Sequence, residues 1–134
     1  MATTIPEPVK AFLEKPNFAV LATQFRSGRV QATPVWFVRD GGEILINTSA
    51  GRTKLRNMEA NPRVALAIVD RENPYRYVQI QGRVVKFDKE NGAKDIDTLS
   101  QRYMGKPYAY SPNDNPKNRV SIHIAPERVD PHNL

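Results

Sequence analysis

The residues best suited to bind a charged ligand lie in a short stretch near the middle of the chain. Between residues 52 and 63 there are four cations and one acid: Arg52, Lys54, Arg56, Arg63 and Glu59. A helix is predicted to begin at residues 52–54, just after a strand. The first amides of a helix lack intrahelical partners and carry the positive end of its dipole. The hydroxyl of Thr53 and the cations Arg52 and Lys54 at that position predict a phosphate pocket.

The same stretch has a second interpretation. Thr48 or Ser49 could cap the helix, and the cations could simply be solvated. Cations at the start of a helix are unfavourable unless an anion offsets them. This cost argues for solvated side chains, and equally for a bound phosphate, so the pattern alone leaves both interpretations open.

A second candidate site is the segment from Thr33 to Val38, which a proline interrupts. Pro34 has no N–H to donate, so it marks an edge, a bulge or a break in the strand. The backbone groups freed at such a break could bind a planar polar ring. Trp36, the only tryptophan, and Phe37 could instead be aromatic residues of the core or of an interface.

Three polar residues, Tyr77, Gln79 and Gln81, are spaced two apart and therefore share one face of a strand. They could form its solvated face, or they could reach a ligand in a cleft. His123 alternates with isoleucines, which places it towards solvent or a partner subunit, and we assign it no catalytic role.

Periodicity and turn residues predict a mainly β fold with short helices. Helices are expected at residues 8–15, 55–60 and 88–104, and residues 105–118 form a long irregular loop. Tight turns join the first strands and leave no room for crossover helices, so the sheet is antiparallel. At this length it would bury its strands most easily by closing into a barrel. The six strands are expected at residues 18–25, 30–33 continued by 35–38, 43–48, 64–69, 75–87 with a bend or bulge near Gly82, and 120–124.

Composition excludes several classes of chemistry. The 134 residues contain no cysteine and two histidines, so thiolate metal sites, disulfides and a Ser-His-Asp triad are not expected. The net charge of +6 favours anionic partners or reflects a basic surface. Aromatic residues are not interleaved with cations, which argues against nucleic acid. Without an apolar span or a signal-like start, we expect one domain over residues 1–134, in the cytoplasm.

Several of these segments, in this order, resemble the flavin/deazaflavin oxidoreductase family related to pyridoxamine 5′-phosphate oxidase. The similarity is greatest to its small branch that depends on coenzyme F420, and it covers residues 18 to about 87. The segments that carry it are Ala19-Val20-Leu21-Ala22-Thr23, Gly28-Arg29-Val30-Gln31, Thr33-Pro34-Val35-Trp36-Phe37, Thr53-Lys54-Leu55-Arg56-Asn57, Asn61-Pro62-Arg63-Val64 and Gln81-Gly82-Arg83-Val84.

The resemblance implies a six-stranded antiparallel split β-barrel that forms a homodimer with two cofactor sites at its interface. Residues 34–37 would lie along the flavin or deazaflavin ring, residues 47–49 would border it, and residues 52–54 would hold the phosphate. The cofactor would supply the hydride chemistry that the side chains lack. The implied cofactor-binding residues are Thr33, Pro34, Val35, Trp36, Phe37, Asn47, Thr48, Ser49, Arg52, Thr53, Lys54, Tyr77 and Gln79.

The chain also departs from the oxidases proper, because residues 125–134 lack their C-terminal Arg-and-His substrate motif. We therefore do not expect oxidation of pyridoxamine phosphate. Arg29, Lys54 and Arg56 could line a groove for the polyglutamate tail of F420, which favours F420 over FMN. The expected reaction is hydride transfer to a small unsaturated or quinone-like acceptor. The alternatives are an FMN-binding oxidoreductase of the same fold and a cofactor carrier without turnover.

Overall fold

The chain forms one antiparallel sheet with short helices between some of its strands. The computed structural model describes residues 2–134. Across this range the sheet has seven strands in the order β2-β1-β5-β6-β7-β4-β3. The elements are α1 (Glu7–Leu13), β1 (Phe18–Gln24), β2 (Val30–Val35), β3 (Val38–Asp40), β4 (Glu43–Ser49), α2 (Thr53–Ala60), β5 (Arg63–Val69), β6 (Tyr77–Asp88), α3 (Gly92–Met104) and β7 (Arg119–His132), with a 3-10 turn at Pro116–Asn118.

The mainly β, antiparallel prediction is confirmed, but the strand count and the closure differ from it. Pro34 remains within β2, opposite Val20, because β2 is an edge strand and pairs on one side only. The break comes two residues later, at Trp36 and Phe37, after which β3 pairs with β4. The segment predicted as one strand thus forms two strands, β2 and β3, at opposite edges of the sheet. The sheet has seven strands and is open, whereas a closed barrel of six strands was predicted.

The helices lie where they were predicted, with shifted boundaries. The first helix, α1, buries Val9, Phe12 and Leu13 as its spacing indicates. The third, α3, begins at residue 92 and not at 88, because the Asp88 carboxylate accepts from the Asn91 backbone N–H at 3.0 Å and forms a turn before the helix. None of the helices within residues 2–134 has the length and apolar character that crossing a bilayer requires.

The last strand, β7, is much longer than the predicted 120–124. It pairs with β4 up to Ile124 and continues along β6 as far as His132. The prolines at 126 and 131 are tolerated because β7 has a neighbour on one side only beyond Ile124. The bulge predicted near Gly82 is confirmed as a register shift between Gln81 and Gly82.

The sheet buries one face and leaves part of the other uncovered. Alternate residues of β1, such as Ala19 and Leu21, lie in the core with the helices, whereas Phe18 is 57% and Val20 37% exposed. Strand pairing places Val20 between Pro34 and Ala67. We call this uncovered surface the outer apolar face, and it consists of Phe18, Val20, Ala22, Val30, Ala32, Pro34, Ala65, Ala67 and Val69.

A glycine sets the distance between α3 and the sheet. A Cβ atom at Gly92 would lie 2.1 Å from the Arg119 carbonyl oxygen. The Gly92 carbonyl accepts a hydrogen bond from the Asn47 side chain at 2.9 Å. The start of α3 therefore rests directly on the backbone of β7, and the helix cannot move closer or take a larger residue there.

We expect Gly92→Ala to destabilise the protein by about 1–3 kcal/mol, because the added methyl group must push α3 away from β7. Urea denaturation followed by circular dichroism measures this. Gly42→Ala is the matched control, since a Cβ at Gly42 meets no atom within 4 Å; its effect should be within about 0.5 kcal/mol. Equal stability of the two variants would contradict the close contact.

Candidate functional site

A cavity lies where the two edges of the sheet separate. It has a volume of about 640 Å³. β1 and β2 form one wall, α3 forms another, and β4, α2 and the start of β7 form its polar end. The residues that line it are Phe18, Ala19, Val20, Pro34, Val35, Trp36, Asn47, Lys54, Ile96, Leu99, Tyr103, Tyr108 and Arg119.

The side of the cavity next to the strand break is aromatic. The ring of Trp36 stacks on Tyr103, with centroids 5.5 Å apart and planes 9° apart. Tyr108, from the long loop after α3, meets Trp36 edge-on at 6.2 Å. Flat aromatic surfaces of this kind pack well against a planar ring.

The strand break is held by α3 through the backbone of Phe37. The Phe37 N–H donates to the Tyr103 hydroxyl at 3.4 Å, and the Phe37 carbonyl accepts from Arg102 at 2.9 Å. Tyr103 in turn donates to the Asn17 carbonyl at 2.8 Å. Burial raises the pKa of Tyr103 above its ordinary 10.0, so the hydroxyl remains protonated and keeps this donor.

The opposite end of the cavity is polar and built around Arg119. This side chain is buried, with its residue 5% exposed. It donates to Asn47 at 2.9 Å and to Asp114 at 2.9 Å, and it packs over the Tyr108 ring at 5.1 Å. Asn47 is fixed at both ends of its amide, because it also donates to Gly92. This end of the site is therefore rigid.

Lys54 carries the charge that remains uncompensated. Burial lowers the pKa of Lys54, and the neighbouring Arg52 and Arg119 lower it further. Across residues 2–134, no ion pair involves Lys54 or Arg52. An anion placed beside Lys54 would offset both effects.

The start of α2 has no side-chain cap. Arg52 is the N-cap residue, and no side chain accepts from the first amides of the helix. The interpretation in which Thr48 or Ser49 caps α2 is therefore wrong. Both residues are buried instead, within β4 and beneath the loop that leads to α2.

Two buried side-chain oxygens of β2 have no hydrogen-bond partner. Within the described chain, Gln31 Oε1 and Thr33 Oγ1 are inaccessible to solvent and form no hydrogen bond. Gln31 and Thr33 share one face of β2 with Val35. Gln31 is opposite Thr23, whose hydroxyl accepts from Asn57 of α2. Both side chains therefore lie on the face of β2 that α2 covers, and neither lines the cavity.

The structure brings only part of the predicted set to the cavity wall. Five predicted residues line it, namely Pro34, Val35, Trp36, Asn47 and Lys54. The Phe37 side chain is fully buried in the core, so only its backbone adjoins the site. Arg52 is exposed and Thr53 half-buried at the start of α2.

Tyr77 and Gln79 lie away from this cavity. Tyr77 is opposite Val69, which is opposite Phe18, so two strand spacings separate it from the nearest cavity residue. Its ring stacks on His132 with centroids 4.8 Å apart. Both predicted residues border the outer apolar face.

Sequence reasoning missed Arg102, Tyr108 and Arg119. It also did not predict that Tyr103 stacks on Trp36. Arg119 directly precedes the predicted closing strand, and its partner Asn47 is 72 residues away. A local pattern contains no signal for such a pair.

Comparisons with known proteins agree with this architecture. Residues 5–133 match the pyridoxamine 5′-phosphate oxidase family, and no curated protein matches the chain. A solved structure described as an F420 reductase is 32% identical, with a TM-score of 0.83 over 94% of this chain and 98% of its own.

Two further solved structures support the fold. A putative pyridoxamine 5′-phosphate oxidase from Listeria innocua is 21% identical, with a TM-score of 0.72 over 96% of this chain and 98% of its own. A conserved hypothetical protein from Mycobacterium tuberculosis is 23% identical, with a TM-score of 0.75 over 98% of this chain and 86% of its own.

We expect Tyr103→Phe to lower the free energy of unfolding by about 1–3 kcal/mol, because the Asn17 carbonyl and the Phe37 N–H lose their partner. The phenyl ring should still stack on Trp36, so the tryptophan emission maximum should not shift. Tyr75→Phe is the control, since Tyr75 is 74% exposed. A Tyr103→Phe variant as stable as Tyr75→Phe would rule out the proposed role of the hydroxyl.

Proposed function

The chain belongs to the pyridoxamine 5′-phosphate oxidase-like family of flavin and deazaflavin oxidoreductases, and we propose that it is an F420-dependent reductase. One observation carries this proposal above the others. The cavity joins an aromatic wall at Trp36 to a cationic end at Lys54 whose charge no acid of the described residues neutralises. A planar ring with an anionic tail has the matching chemistry.

The residues present fit such a cofactor. Apolar and aromatic side chains line most of the cavity and suit a flat ring. Burial destabilises the charged form of Lys54, and a phosphate beside it would offset that effect. When bound in its reduced form, F420 would supply a hydride to a small unsaturated or quinone-like acceptor and become oxidised.

Different residues of the chain would then bind different parts of the cofactor. Pro34, Val35 and Trp36 would lie along the ring, with the Phe37 backbone holding them in place. Asn47 would border the ring, and residues 48–49 would set the course of the loop beside it. Arg52, Thr53 and Lys54 would bind the phosphate at the start of α2.

We further propose that the working form is a homodimer joined through the outer apolar face. A continuous apolar surface of this kind is typical of an interface. Phe18, Val20 and Pro34 belong both to this face and to the cavity wall, so the cavity opens at its edge. A partner on this face would close over the cavity, and Tyr77 and Gln79 would then belong to the site of the partner.

The choice of F420 over FMN has separate support. The structure described as an F420 reductase shares 32% identity with this chain over nearly its whole length. Arg29 and Arg56 are exposed and can bind a polyanionic tail, which FMN lacks.

Replacing Lys54 tests the phosphate site directly. We expect Lys54→Gln to weaken F420 binding by about tenfold or more, because a charge-assisted hydrogen bond is lost. Fluorescence titration of the purified protein with F420, and separately with FMN, measures the dissociation constants. Tighter binding of FMN than of F420 would reverse the choice of cofactor.

The pH dependence of binding provides the control for Lys54. Only protonated Lys54 attracts an anion, and its pKa lies below the ordinary 10.5. The affinity of the wild type should therefore fall as the pH rises through this lowered pKa. Lys54→Arg stays charged and should lose less affinity over the same range. If the wild type and Lys54→Arg lost the same affinity over this pH range, the phosphate would not lie beside Lys54.

The proposed interface is tested by Ala67→Lys, since residue 67 lies in the middle of the outer apolar face. We expect the wild type to have the mass of a dimer in light scattering and Ala67→Lys that of a monomer, because a buried unpaired ammonium is costly. Met104→Lys, at an exposed position on α3, should remain dimeric. A monomeric wild type would refute the interface.

A further inference from the structure

Arg102 makes an unusual set of contacts beside the strand break. Its guanidinium donates to four backbone carbonyls on two separate segments. Three of them belong to the end of α1 and the residues after it, and the fourth belongs to the break. The acceptors are Leu13 at 2.9 Å, Glu14 at 2.7 Å, Lys15 at 2.7 Å and Phe37 at 2.9 Å.

The contacts at α1 explain why an arginine occupies this position. The last carbonyls of a helix lack intrahelical partners and carry the negative end of its dipole. The guanidinium satisfies these acceptors at once, which its planar set of five donors allows. It also packs against the ring of Phe37 at 5.1 Å. Arg102 thereby connects α1, α3 and the break.

The contact at Phe37 fixes the residue that precedes it. Phe37 is fully buried and belongs to neither β2 nor β3, so its backbone groups need partners outside the ladder. Arg102 takes the carbonyl, and the adjacent Tyr103 takes the N–H. Tyr103 also stacks on Trp36. Two consecutive residues of α3 therefore determine where Trp36 lies.

We propose that Arg102 is a positioning residue for the ligand site. It holds the Trp36 ring in place as a wall of the cavity. The part of this inference that concerns the cofactor ring rests on the proposed function. The part that concerns Trp36 does not, because it is a statement about the protein without ligand. Arg102 itself need not touch the cofactor.

The experiment compares Arg102→Gln and Arg102→Lys with Glu14→Gln. The control removes the ion pair between Glu14 and Arg39, 2.7 Å long, at the same end of α1, but it keeps the Glu14 carbonyl that Arg102 contacts. Because Trp36 is the only tryptophan, acrylamide quenching of the ligand-free protein reports on this wall alone.

We expect quenching of Trp36 to increase about twofold in Arg102→Gln and F420 binding to weaken about tenfold, since loss of preorganisation is costly in a binding site. The dependence of binding on salt should stay that of the wild type, because the phosphate contacts are untouched. Arg102→Lys keeps a cation with three donors, so its Trp36 quenching and its F420 affinity should lie between those of Arg102→Gln and the wild type. Glu14→Gln should match the wild type.

Two results would overturn the proposal. One is a folded Arg102→Gln protein with wild-type quenching of Trp36, whatever its affinity for F420. The other is an equal change in Glu14→Gln, which would mean that loosening α1 is sufficient. If Arg102→Gln does not fold, Arg102→Lys decides between the same outcomes.

The design also separates this inference from the proposed function. If the wild type binds neither F420 nor FMN, the proposed function fails, but quenching of Trp36 still supports or refutes the role of Arg102. If the wild type binds F420 and the arginine variants leave quenching unchanged, only the role of Arg102 fails.

Discussion

A buried peptide group with no neighbouring strand governs the arrangement of this protein. The chain leaves β2 at Val35 and joins β3 at Val38, at opposite edges of the sheet. The N–H and carbonyl of Phe37 must be paired inside the protein, and α3 supplies both partners. The helix thus holds the edges apart, and the space between them is the cavity. Without these two hydrogen bonds, neither the aromatic wall nor the gap would have a defined position.

Electrostatics divide the cavity into two unlike ends. Near Trp36 the walls are aromatic and apolar, whereas Lys54 and Arg119 concentrate positive charge at the other end. Asp114 pairs with Arg119, whereas burial and the neighbouring Arg52 and Arg119 lower the pKa of Lys54. Perturbed pKa values of this kind are more frequent at functional sites than elsewhere in a protein.

The sequence predicted features that depend on neighbouring residues better than features that depend on contacts between distant parts of the chain. The first helix and the tight turn between β1 and β2 depend on near neighbours, and both were predicted correctly. Pro34 was predicted to mark an edge, a bulge or a break, and it lies within the edge strand β2. The local pattern could not decide among the three, because which strand is at an edge is a property of the whole sheet. The pairs Arg102–Phe37 and Arg119–Asn47 join residues 65 and 72 positions apart, so only the folded chain brings them together.

Hydrogen bonds attach the loop after α3 on both sides of its middle. The Tyr108 N–H donates to Asp97 at 2.9 Å, and Asp114 binds Arg119, whereas residues 109–113 between them are outside the sheet. The side of the cavity that Tyr108 forms therefore belongs to a segment whose length and composition can change while the strands stay paired. Over evolution, related proteins can therefore change which ligands they bind by changing this loop, while the sheet stays the same.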